Sequence, residues 1–461
     1  MKAADFVREG MTADERRAAF WLAGVFSLRM LGLFMILPVF ALYAEQLRGN
    51  TPALAGLAIG IYGFSQALLQ IPFGFLSDRY GRKRMIYLGL VIFALGSGVA
   101  ALADSIWGVI LGRALQGGGA VSAAVMALAA DLTREDHRLK VMAVIGVTIG
   151  VSFAVSMILG PVLNGWVGVP GIFWLTGLLA LLSIAVVRFR VPDPMESRVH
   201  RDAEPVASQF GRVLFDGQLL RLNVGIFTLH LLLTATFVAV PLALRDAGLP
   251  SDHHWQVYLP ALVVSMAAIV PFVIVAEKYQ RLKPVFLGAI LTLALTELGL
   301  LALHDTALET AALLLVFFTA FNLLEATLPS LIAKMAPPDT KGTAMGVYSS
   351  SQFLGAFAGG ALGGWLRGLL GLKGVFAFAT LAALAWLLVA WTMKNPRYLS
   401  SYLLNVGELD EVEARLLALR LSAVPGVAEA VVVAAEGVAY LKVDRRTLDE
   451  PALRACAADG Y

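Results

Sequence analysis

One long apolar run follows another along this chain, and each is long enough to cross a bilayer, which takes about 20 residues. The runs lie at 18–44, 54–77, 85–104, 107–131, 140–163, 170–188, 219–244, 254–276, 284–303, 308–333, 343–366 and 373–393. Only 15% of the residues are charged, against about 25% in soluble proteins. Because lipid offers the backbone no hydrogen bonds, such runs form helices. The sequence therefore predicts an all-α membrane protein of twelve transmembrane helices in two six-helix halves.

Basic residues are concentrated in alternate loops. Lysines and arginines cluster within 2–17, 79–84, 134–140, 188–212, 278–283, 334–341 and 394–397. The loops on the other side carry only Arg48, Arg245, Arg367 and Lys373. Since cytoplasmic loops hold the excess of lysine and arginine, we expect a multi-pass protein of the inner or plasma membrane with both termini in the cytoplasm. The charged start and the length of the first run argue against a cleavable signal peptide.

The same pattern divides the chain. We expect a cytoplasmic N-terminus at 1–17, a first half at 18–188, a cytoplasmic linker at 189–218 and a second half at 219–394. Pro192, Pro194 and Pro205 favour a plain linker, and the alternative is a short interfacial helix built on Phe210, Val213 and Leu214.

Hydropathy falls after residue 393, and residues 401–461 predict a small α+β domain in the cytoplasm. Its segments follow the order β-α-β-β-α, with a hairpin turn at Glu436-Gly437. This order is ferredoxin-like, although no closing strand is visible. The single cysteine, Cys456, excludes a disulfide framework and cysteine-rich metal sites. No metal site and no cofactor are therefore predicted, and the partner of this domain is left open.

A burst of charge separates the second and third runs. It reads Gly74-Phe75-Leu76-Ser77-Asp78-Arg79-Tyr80-Gly81-Arg82-Lys83-Arg84. We expect a tight hairpin in which Gly74 allows close helix packing and Gly81 ends the helix at positive φ. Asp78 lies at a helix C-terminus, where the dipole disfavours an acid, so it needs a positive partner. At an offset of 199, residues 72–84 align with 271–283, which indicates a duplicated half.

The hairpin resembles motif A of the major facilitator superfamily, at the turn between transmembrane helices two and three. Arg113-Ala114-Leu115-Gln116-Gly117 resembles motif B, and Gly160-Pro161 is a partial match to the antiporter-type motif C, with Ser156 where glycine is expected. Together with the run 26–35 and the tail, these motifs resemble the YajR-type branch of the superfamily, drug-efflux-type transporters with a ferredoxin-like cytoplasmic domain. The resemblance covers nearly the full chain and leaves the substrate open.

This resemblance implies a conformational latch on the cytoplasmic side. Its residues would be Gly74, Asp78, Arg79, Gly81, Arg82, Lys83 and Asp131. We expect Asp78 to face the N-terminus of the eleventh span near Gly342-Thr343-Ala344, where the helix dipole is positive. We expect Arg82 to pair with Asp131 at the end of the fourth span. These contacts would break when the protein opens inward.

Ionisable and polar groups inside the spans are functional candidates, because they are costly in lipid. For a substrate cavity we select Arg29, Arg113, Gln116 and Asn322, and for proton coupling Glu325, Glu297 and His230. Arg29 lies roughly 17 Å into the first span at 1.5 Å per residue, where many drug–proton antiporters of the superfamily carry an acid. The alternatives are a structural ion pair for Arg29, snorkelling for Arg113, a packing role for His230 and satisfied pairs for the acids. Glu325 ranks first, with Asn322 three residues before it on the same helix face.

The sequence favours a proton-coupled secondary transporter that exports small amphipathic compounds, with the lipid bilayer, the substrate and protons as partners. The alternatives are an importer or uniporter of a polar solute, and a non-transporting sensor that uses the tail. An ATP-driven pump is disfavoured because the chain has no Gly-x-x-x-x-Gly-Lys-Ser/Thr loop. No enzymatic site is predicted, since catalytic residue types are not grouped. The small net charge of +3 gives no indication of nucleic-acid binding.

Overall fold

The computed structural model describes residues 10–193, 206–395, 399–407, 409–434, 437–444 and 446–458. Within them, 10 helices are long and apolar enough to cross a membrane. Two of these contain a break, at Gly168 (φ 67°) and Gly371 (φ 70°), where a positive φ turns the chain back. Each broken helix therefore supplies two spans, which confirms the twelve-span prediction.

The elements follow one another in two sets of six spans. The first set comprises α1 (Ala13–Phe34), α2 (Phe40–Ala44), α3 (Pro52–Tyr80), α4 (Arg82–Leu102), α5 (Ile106–Gly118), α6 (Ser122–Asp131) and α7 (Glu135–Arg190). After the short α8 (Phe210–Leu214), the second comprises α9 (Gly217–Asp246), α10 (Trp255–Glu277), α11 (Leu282–Ala302), α12 (Ala307–Met335) and α13 (Lys341–Trp391). Span 1 is α1 with α2, spans 2 and 3 are α3 and α4, span 4 is α5 with α6, and α7 supplies spans 5 and 6. Spans 7 to 10 are α9 to α12, and α13 supplies spans 11 and 12.

Helix α1 begins before the first apolar run. Thr12 and Glu15 form a capping box, in which each side chain accepts a hydrogen bond from the other's backbone N–H. The Glu15 carboxylate also accepts bonds from Arg134, at the start of span 5. Two polar residues therefore start span 1 at residue 13, five residues earlier than hydropathy alone predicts.

The two halves repeat one hairpin. Gly81 (φ 97°) ends span 2, and Gln280, at the offset of 199, also has a positive φ of 57°. Lys83 donates to the carbonyl oxygen of Val191 at the end of span 6, and Lys283 donates in the same way to Met393 after span 12. At this offset Lys283 corresponds to Arg84, one position after Lys83. Equivalent turns with similar lysine contacts beside them are what an internal duplication produces.

We call the end of the bundle that carries Arg79–Lys83 the basic face and the other end the opposite face. Near the opposite face the halves meet through glycines of spans 2 and 11. A Cβ atom on Gly56 would lie 2.2 Å from the Gly360 carbonyl oxygen, and one on Gly60 would lie 2.6 Å from that of Phe357. Such close approach needs residues without side chains, so the halves are closed against each other here.

An ion-pair cluster lies above this glycine contact. Glu45, at the end of span 1, accepts hydrogen bonds from Arg245 of span 7 and Arg367 of span 11. The Arg367 pair measures 2.9 Å between nitrogen and oxygen. One acid of the first half thus binds two arginines of the second half.

On the basic face, the linker packs against the start of span 11. The Val206 N–H donates to the Thr343 hydroxyl at 2.8 Å, and that hydroxyl donates to the Gln209 side chain at 2.9 Å. Arg212 pairs with Asp339 at 2.9 Å. The preferred prediction of a plain linker is wrong for 207–214, which form a 3-10 turn and α8, because these bonds order the segment. Residues 1–9 and 194–205, with Lys2, Arg8, Pro194, Arg198, Arg201 and Pro205, lie outside the described residues, as do Arg397 and Glu436.

The tail folds as an antiparallel sheet in the order β1-β3-β2 with two helices. Its elements are β1 (Ser400–Asn405), α14 (Glu411–Ser422), β2 (Val427–Val433), β3 (Val438–Val443) and α15 (Glu450–Ala458). Ser400 pairs with Val443, and Val433 pairs with Val438. Leu417, Leu421, Leu441 and Leu453 are part of a separate hydrophobic core. The described residues of the tail therefore form a three-stranded ferredoxin-like fold, as the sequence predicts.

The tail rests on the second half. Lys442 donates to the Lys334 carbonyl at the end of span 10. Gln280, with its amide oxygen turned toward Arg446, accepts bonds of 3.1 and 3.2 Å from that side chain. Burial lowers the pKa of Lys442, and the nearby charge of Lys341 lowers it further while Glu429 opposes the shift. The contact therefore places an amine where water is scarce and a carbonyl oxygen accepts its hydrogen bond.

Candidate transport site

A cavity of about 110 Å³ lies between the two halves. Most of its wall is apolar and includes Phe26, Met30, Leu33, Phe34, Ile36, Leu37, Ile59, Ile149, Leu233 and Phe353. The polar lining residues include Tyr62, Gln70, Arg113, Ser122, His230, Thr234 and Gln352. Ligand sites are usually of this kind, with a mainly hydrophobic wall and a few convergent polar groups.

Arg29 lies one layer behind this lining, and only 2% of it is exposed. Its guanidinium donates to Ser122 at 3.1 Å and to the Gln66 side-chain oxygen, and lies 5.9 Å from the centre of the Tyr62 ring. No carboxylate in the described part of the chain forms an ion pair with it. The described contacts therefore do not include the structural ion pair that was the alternative for Arg29. Neutral oxygens and an aromatic ring face surround its charge.

Arg113 lines the cavity and is also buried. It donates to the Gln116 side-chain oxygen at 3.0 Å, one helical turn along, and Gln116 in turn donates to Ser97 of span 3 at 2.8 Å. The guanidinium lies 5.0 Å from the centre of the Tyr62 ring. Since 2% of Arg113 is exposed, its side chain points into the protein and does not snorkel.

Three spans of the second half form a polar cluster, of which His230 and Gln352 line the cavity and Glu325 does not. Gln352 of span 11 contacts the ring nitrogen of His230 on span 7 at 2.8 Å. Its amide nitrogen also lies 3.5 Å from a carboxylate oxygen of Glu325 on span 10, and the other Glu325 oxygen lies 3.9 Å from His230. Two titratable groups and one amide therefore form a single network. Sequence reasoning missed Gln352, because a neutral amide in an apolar run carries no charge signal.

The structure separates Glu297 from this cluster. Glu297 is fully buried and accepts a 2.6 Å hydrogen bond from the Thr236 hydroxyl. It does not line the cavity. Asn322 turns toward span 8, where its amide donates to Ser265 at 3.1 Å, and it is likewise not among the lining residues. Although Asn322 lies three residues before Glu325, it therefore does not join the cluster of Glu325, Gln352 and His230.

The motif A hairpin forms a buried ion-pair cluster. The Arg82 guanidinium, 1% exposed, donates to Asp131 at 3.1 Å and also binds Asp78 and the Ser77 hydroxyl. The expected contact between Arg82 and Asp131 is present, but both residues belong to the first half. Gly74 lies close to span 4, since a Cβ atom on it would be 3.2 Å from Ala123.

Asp78 is not where we expected it. Its hydrogen-bond partner in the described residues is Arg82 on its own hairpin, and no bond from Asp78 to 342–344 is found there. Thr343 is already occupied by Val206 and Gln209 of the linker. The linker segment thus takes the place predicted for Asp78, while the halves are closed near the opposite face.

The other two basic residues of the hairpin differ in their contacts. Arg79 is exposed and lies over the Tyr80 ring at 5.6 Å. Lys83 bonds the carbonyl of Val191 at 2.6 Å and pairs with Asp193 at 2.7 Å. The hydrogen bond from Lys83 and its charge lower the pKa of Asp193. Lys83 therefore ties span 3 to the end of span 6.

The motif C-like stretch packs span 5 against span 1. A Cβ atom on Gly160 would lie 2.5 Å from the Met35 carbonyl oxygen, close to the bend of span 1, and Pro161 follows inside the helix. Ser156, which replaces the expected glycine, donates to the Leu31 carbonyl at 3.2 Å. A hydroxyl contact thus substitutes for close glycine packing at this position.

Twelve spans in two related halves around a central cavity, mainly apolar with a few polar groups, define a membrane transporter fold. The family model of the Major Facilitator Superfamily matches residues 22–276 and 222–408. The chain is 48% identical to the inner membrane transport protein YajR of Escherichia coli K12, over 95% of this chain and 96% of that protein. The chain therefore belongs to the major facilitator superfamily, in its YajR-type branch.

Two further comparisons are more distant. The multidrug resistance protein MdtH of Yersinia enterocolitica is 27% identical over 73% of this chain and 83% of that protein. The crystal structure of the nucleoside transporter NupG superposes with a TM-score of 0.65 at 13% identity, over 82% of this chain and 99% of that one. The second likeness shows the fold alone.

Proposed function

We propose that this transporter exports small amphipathic compounds in exchange for protons, by alternating access to the central cavity. The observation that carries the proposal is the Glu325–Gln352–His230 network, in which His230 and Gln352 line the cavity and connect it to Glu325. It joins a carboxyl group, which can take up and release a proton, to spans 7, 10 and 11. The similarity to a protein named for multidrug resistance supports export as the direction.

The network offers a physical route from protonation to movement. An ionised Glu325 carboxylate only accepts hydrogen bonds, whereas its protonated form also donates one. Gln352, which reaches both partners, would have to exchange bonds when Glu325 changes state. Gln352 lies on span 11, and the glycine contact with span 2 is made farther along the same span, at Gly360 and Gly364. Protonation would thereby bias the closure of the halves.

The orientation is part of the proposal. The basic face would lie in the cytoplasm with both termini, since cytoplasmic loops hold most lysines and arginines. The state with the halves joined through Gly56 and Gly360 would then be closed toward the outside. The latch of Asp78 on span 11 would form in the other state, after the linker releases Thr343.

A second candidate is uptake of a polar solute on the same fold. It is favoured by the polar side chains on this side of the cavity, where Arg113 lines the wall and Arg29, Gln66 and Gln116 lie behind it. The sign of proton movement separates the candidates. Export in exchange for protons moves the two in opposite directions, and proton-driven uptake moves them in the same direction.

The test uses purified protein in vesicles that contain a pH-sensitive dye. Amphipathic dyes of positive, zero and negative charge are added on one side, and the internal pH is followed. Glu325→Gln keeps the shape of the side chain and removes its titratable proton, so we expect proton-driven transport to be lost while binding partly survives. Glu309→Gln, on the same helix, is the matched control, because glutamine also serves at this position of a capping box. Normal proton coupling in Glu325→Gln would move the role to Glu297 or His230.

A further inference from the structure

The first half carries two buried positive charges near the cavity, Arg113 in its lining and Arg29 one layer behind. Arg29 and Arg113 are each 2% exposed, and neither forms an ion pair with a carboxylate in the described ranges. Arg82, equally buried, pairs with Asp78 and Asp131. Buried charges in proteins are normally paired or bind a ligand, and ionisable groups inside a membrane mark substrate or ion pathways. Arg29 and Arg113 therefore differ from Arg82 of motif A, because their charges are buried without a carboxylate partner in the described ranges.

Arg113 retains donors for a ligand. A guanidinium has five N–H donors, and the hydrogen bond described for this one is the bond from a terminal nitrogen to Gln116. Its Nε atom is buried and has no hydrogen-bond partner among the described residues. The Tyr62 hydroxyl, whose ring lies beside the same guanidinium, is also buried without a partner there. Both residues line the cavity.

The rest of the cavity determines the other part of the ligand. Met30, Leu33 and Ile59 belong to a wall that is mainly apolar, which suits a hydrocarbon or aromatic body. A small inorganic anion would leave this wall without contacts. A cation would face the Arg113 charge.

We propose that the cavity binds an amphipathic organic anion, whose carboxylate or sulfonate group pairs with Arg113 while its apolar body packs between the spans of both halves. Guanidinium and carboxylate match each other in a two-bond geometry, and charge-assisted bonds of this kind are about twice as strong as neutral ones. Tyr62 would donate a hydrogen bond from its hydroxyl group to the same carboxylate or sulfonate. The inference rests on the proposed function only in taking this cavity as the substrate site, and it holds for export and for uptake.

The test measures binding, which does not require proton coupling. Three probes with one aromatic body are compared on the purified full chain in nanodiscs: 2-naphthoate, 2-naphthamide and 2-naphthylmethylammonium. Thermal stabilisation and calorimetry report affinity. We expect naphthoate to bind at least about tenfold more tightly than the amide, the size expected for a charged hydrogen bond, and the cation to bind most weakly. Chloride and sulfate are added as competitors.

Arg113→Gln should abolish the preference for naphthoate over the amide, and Arg113→Lys should retain part of it, because lysine keeps the charge but not the fork of donors. Arg48→Gln removes the same charge from an exposed loop, where the side chain is 82% exposed, and should bind as the parent does. Equal binding of acid and amide by the parent protein, or an unchanged preference in Arg113→Gln, would overturn the proposal. Complete displacement of naphthoate by millimolar chloride would instead assign an inorganic-anion site. None of these outcomes depends on whether Glu325 carries protons.

Discussion

The glycine contact between spans 2 and 11 allows a sharp prediction. In Gly56→Ala the new Cβ atom would lie 2.2 Å from the Gly360 carbonyl oxygen and 2.6 Å from the Gly364 Cα atom. Since non-bonded heavy atoms prefer about 3.5–4.0 Å, the helices must move apart by about 1 Å or more. Overpacking of this size costs about 1–3 kcal/mol. The penalty applies only to the state in which the halves are closed near the opposite face.

A penalty of about 1–3 kcal/mol on one of two states shifts their ratio by about 5- to 150-fold. The assay is labelling of a single cysteine by a membrane-impermeant maleimide added at the opposite face. Cys456→Ser removes the native thiol, and Leu37→Cys introduces one at the cavity wall, where 9% of the leucine is exposed. We expect Gly56→Ala to raise the labelling rate by a factor in that range.

Gly150→Ala is the matched control, because a Cβ atom on Gly150 would meet no heavy atom within 4 Å. It makes the same substitution in a transmembrane helix and should leave labelling unchanged. The reasoning is refuted if a correctly inserted Gly56→Ala protein labels at the parental rate. It is also refuted if both alanine variants label faster to the same extent.

Three further perturbations test other parts of the structure. Glu45→Gln removes the acid between two arginines, and exposed pairs contribute about 0.2–1 kcal/mol each. The Leu37→Cys reporter in this background should therefore label about 1.4- to 5-fold faster for each lost pair. An unchanged labelling rate at low salt would count against this cluster as a closure contact. Asp78→Asn should slow the same labelling and reduce vesicle transport without preventing insertion, because the described residues show no hydrogen bond between Asp78 and 342–344 in this state and only the other state can lose it. Normal labelling and transport would contradict the latch. A chain that ends at Lys394 should still insert and transport with altered regulation, because the tail has its own core, whereas a C-terminal reporter that shows no insertion would make the tail part of the membrane fold.

Hydropathy predicts the number of spans because each must hide its backbone in lipid, but it does not predict how they are joined. The sequence places short loops near 163–170 and 366–373, whereas the structure has single-glycine turns at Gly168 and Gly371. The turn depends on one positive φ, and an apolar pattern carries no such information. The earlier start of α1 likewise depends on the Thr12 and Glu15 cap.

The site was predicted unevenly for a related reason. A charged residue inside a span is visible in the sequence, so Arg29, Arg113 and Glu325 could be selected. Which way a side chain faces depends on the neighbouring helices. The sequence therefore ranked Glu325 first but could not show that Glu297 lies apart from His230 and Gln352. Tertiary contacts also decided the fate of Asp78, because the linker bonds to Thr343 arise from residues more than 100 positions away in the chain.

The attachment of the tail has a mechanical consequence. Lys442 and Arg446 bind Lys334 and Gln280, both of which belong to the second half, so the sheet would move with that half in the proposed alternating access. A small rotation of the second half in the membrane would become a larger displacement at the part of the domain farthest from the membrane. The single native thiol, on Cys456 in α15, would move with this domain. A dye there, paired with one at the end of span 6, would read the rocking of the halves as a change in distance.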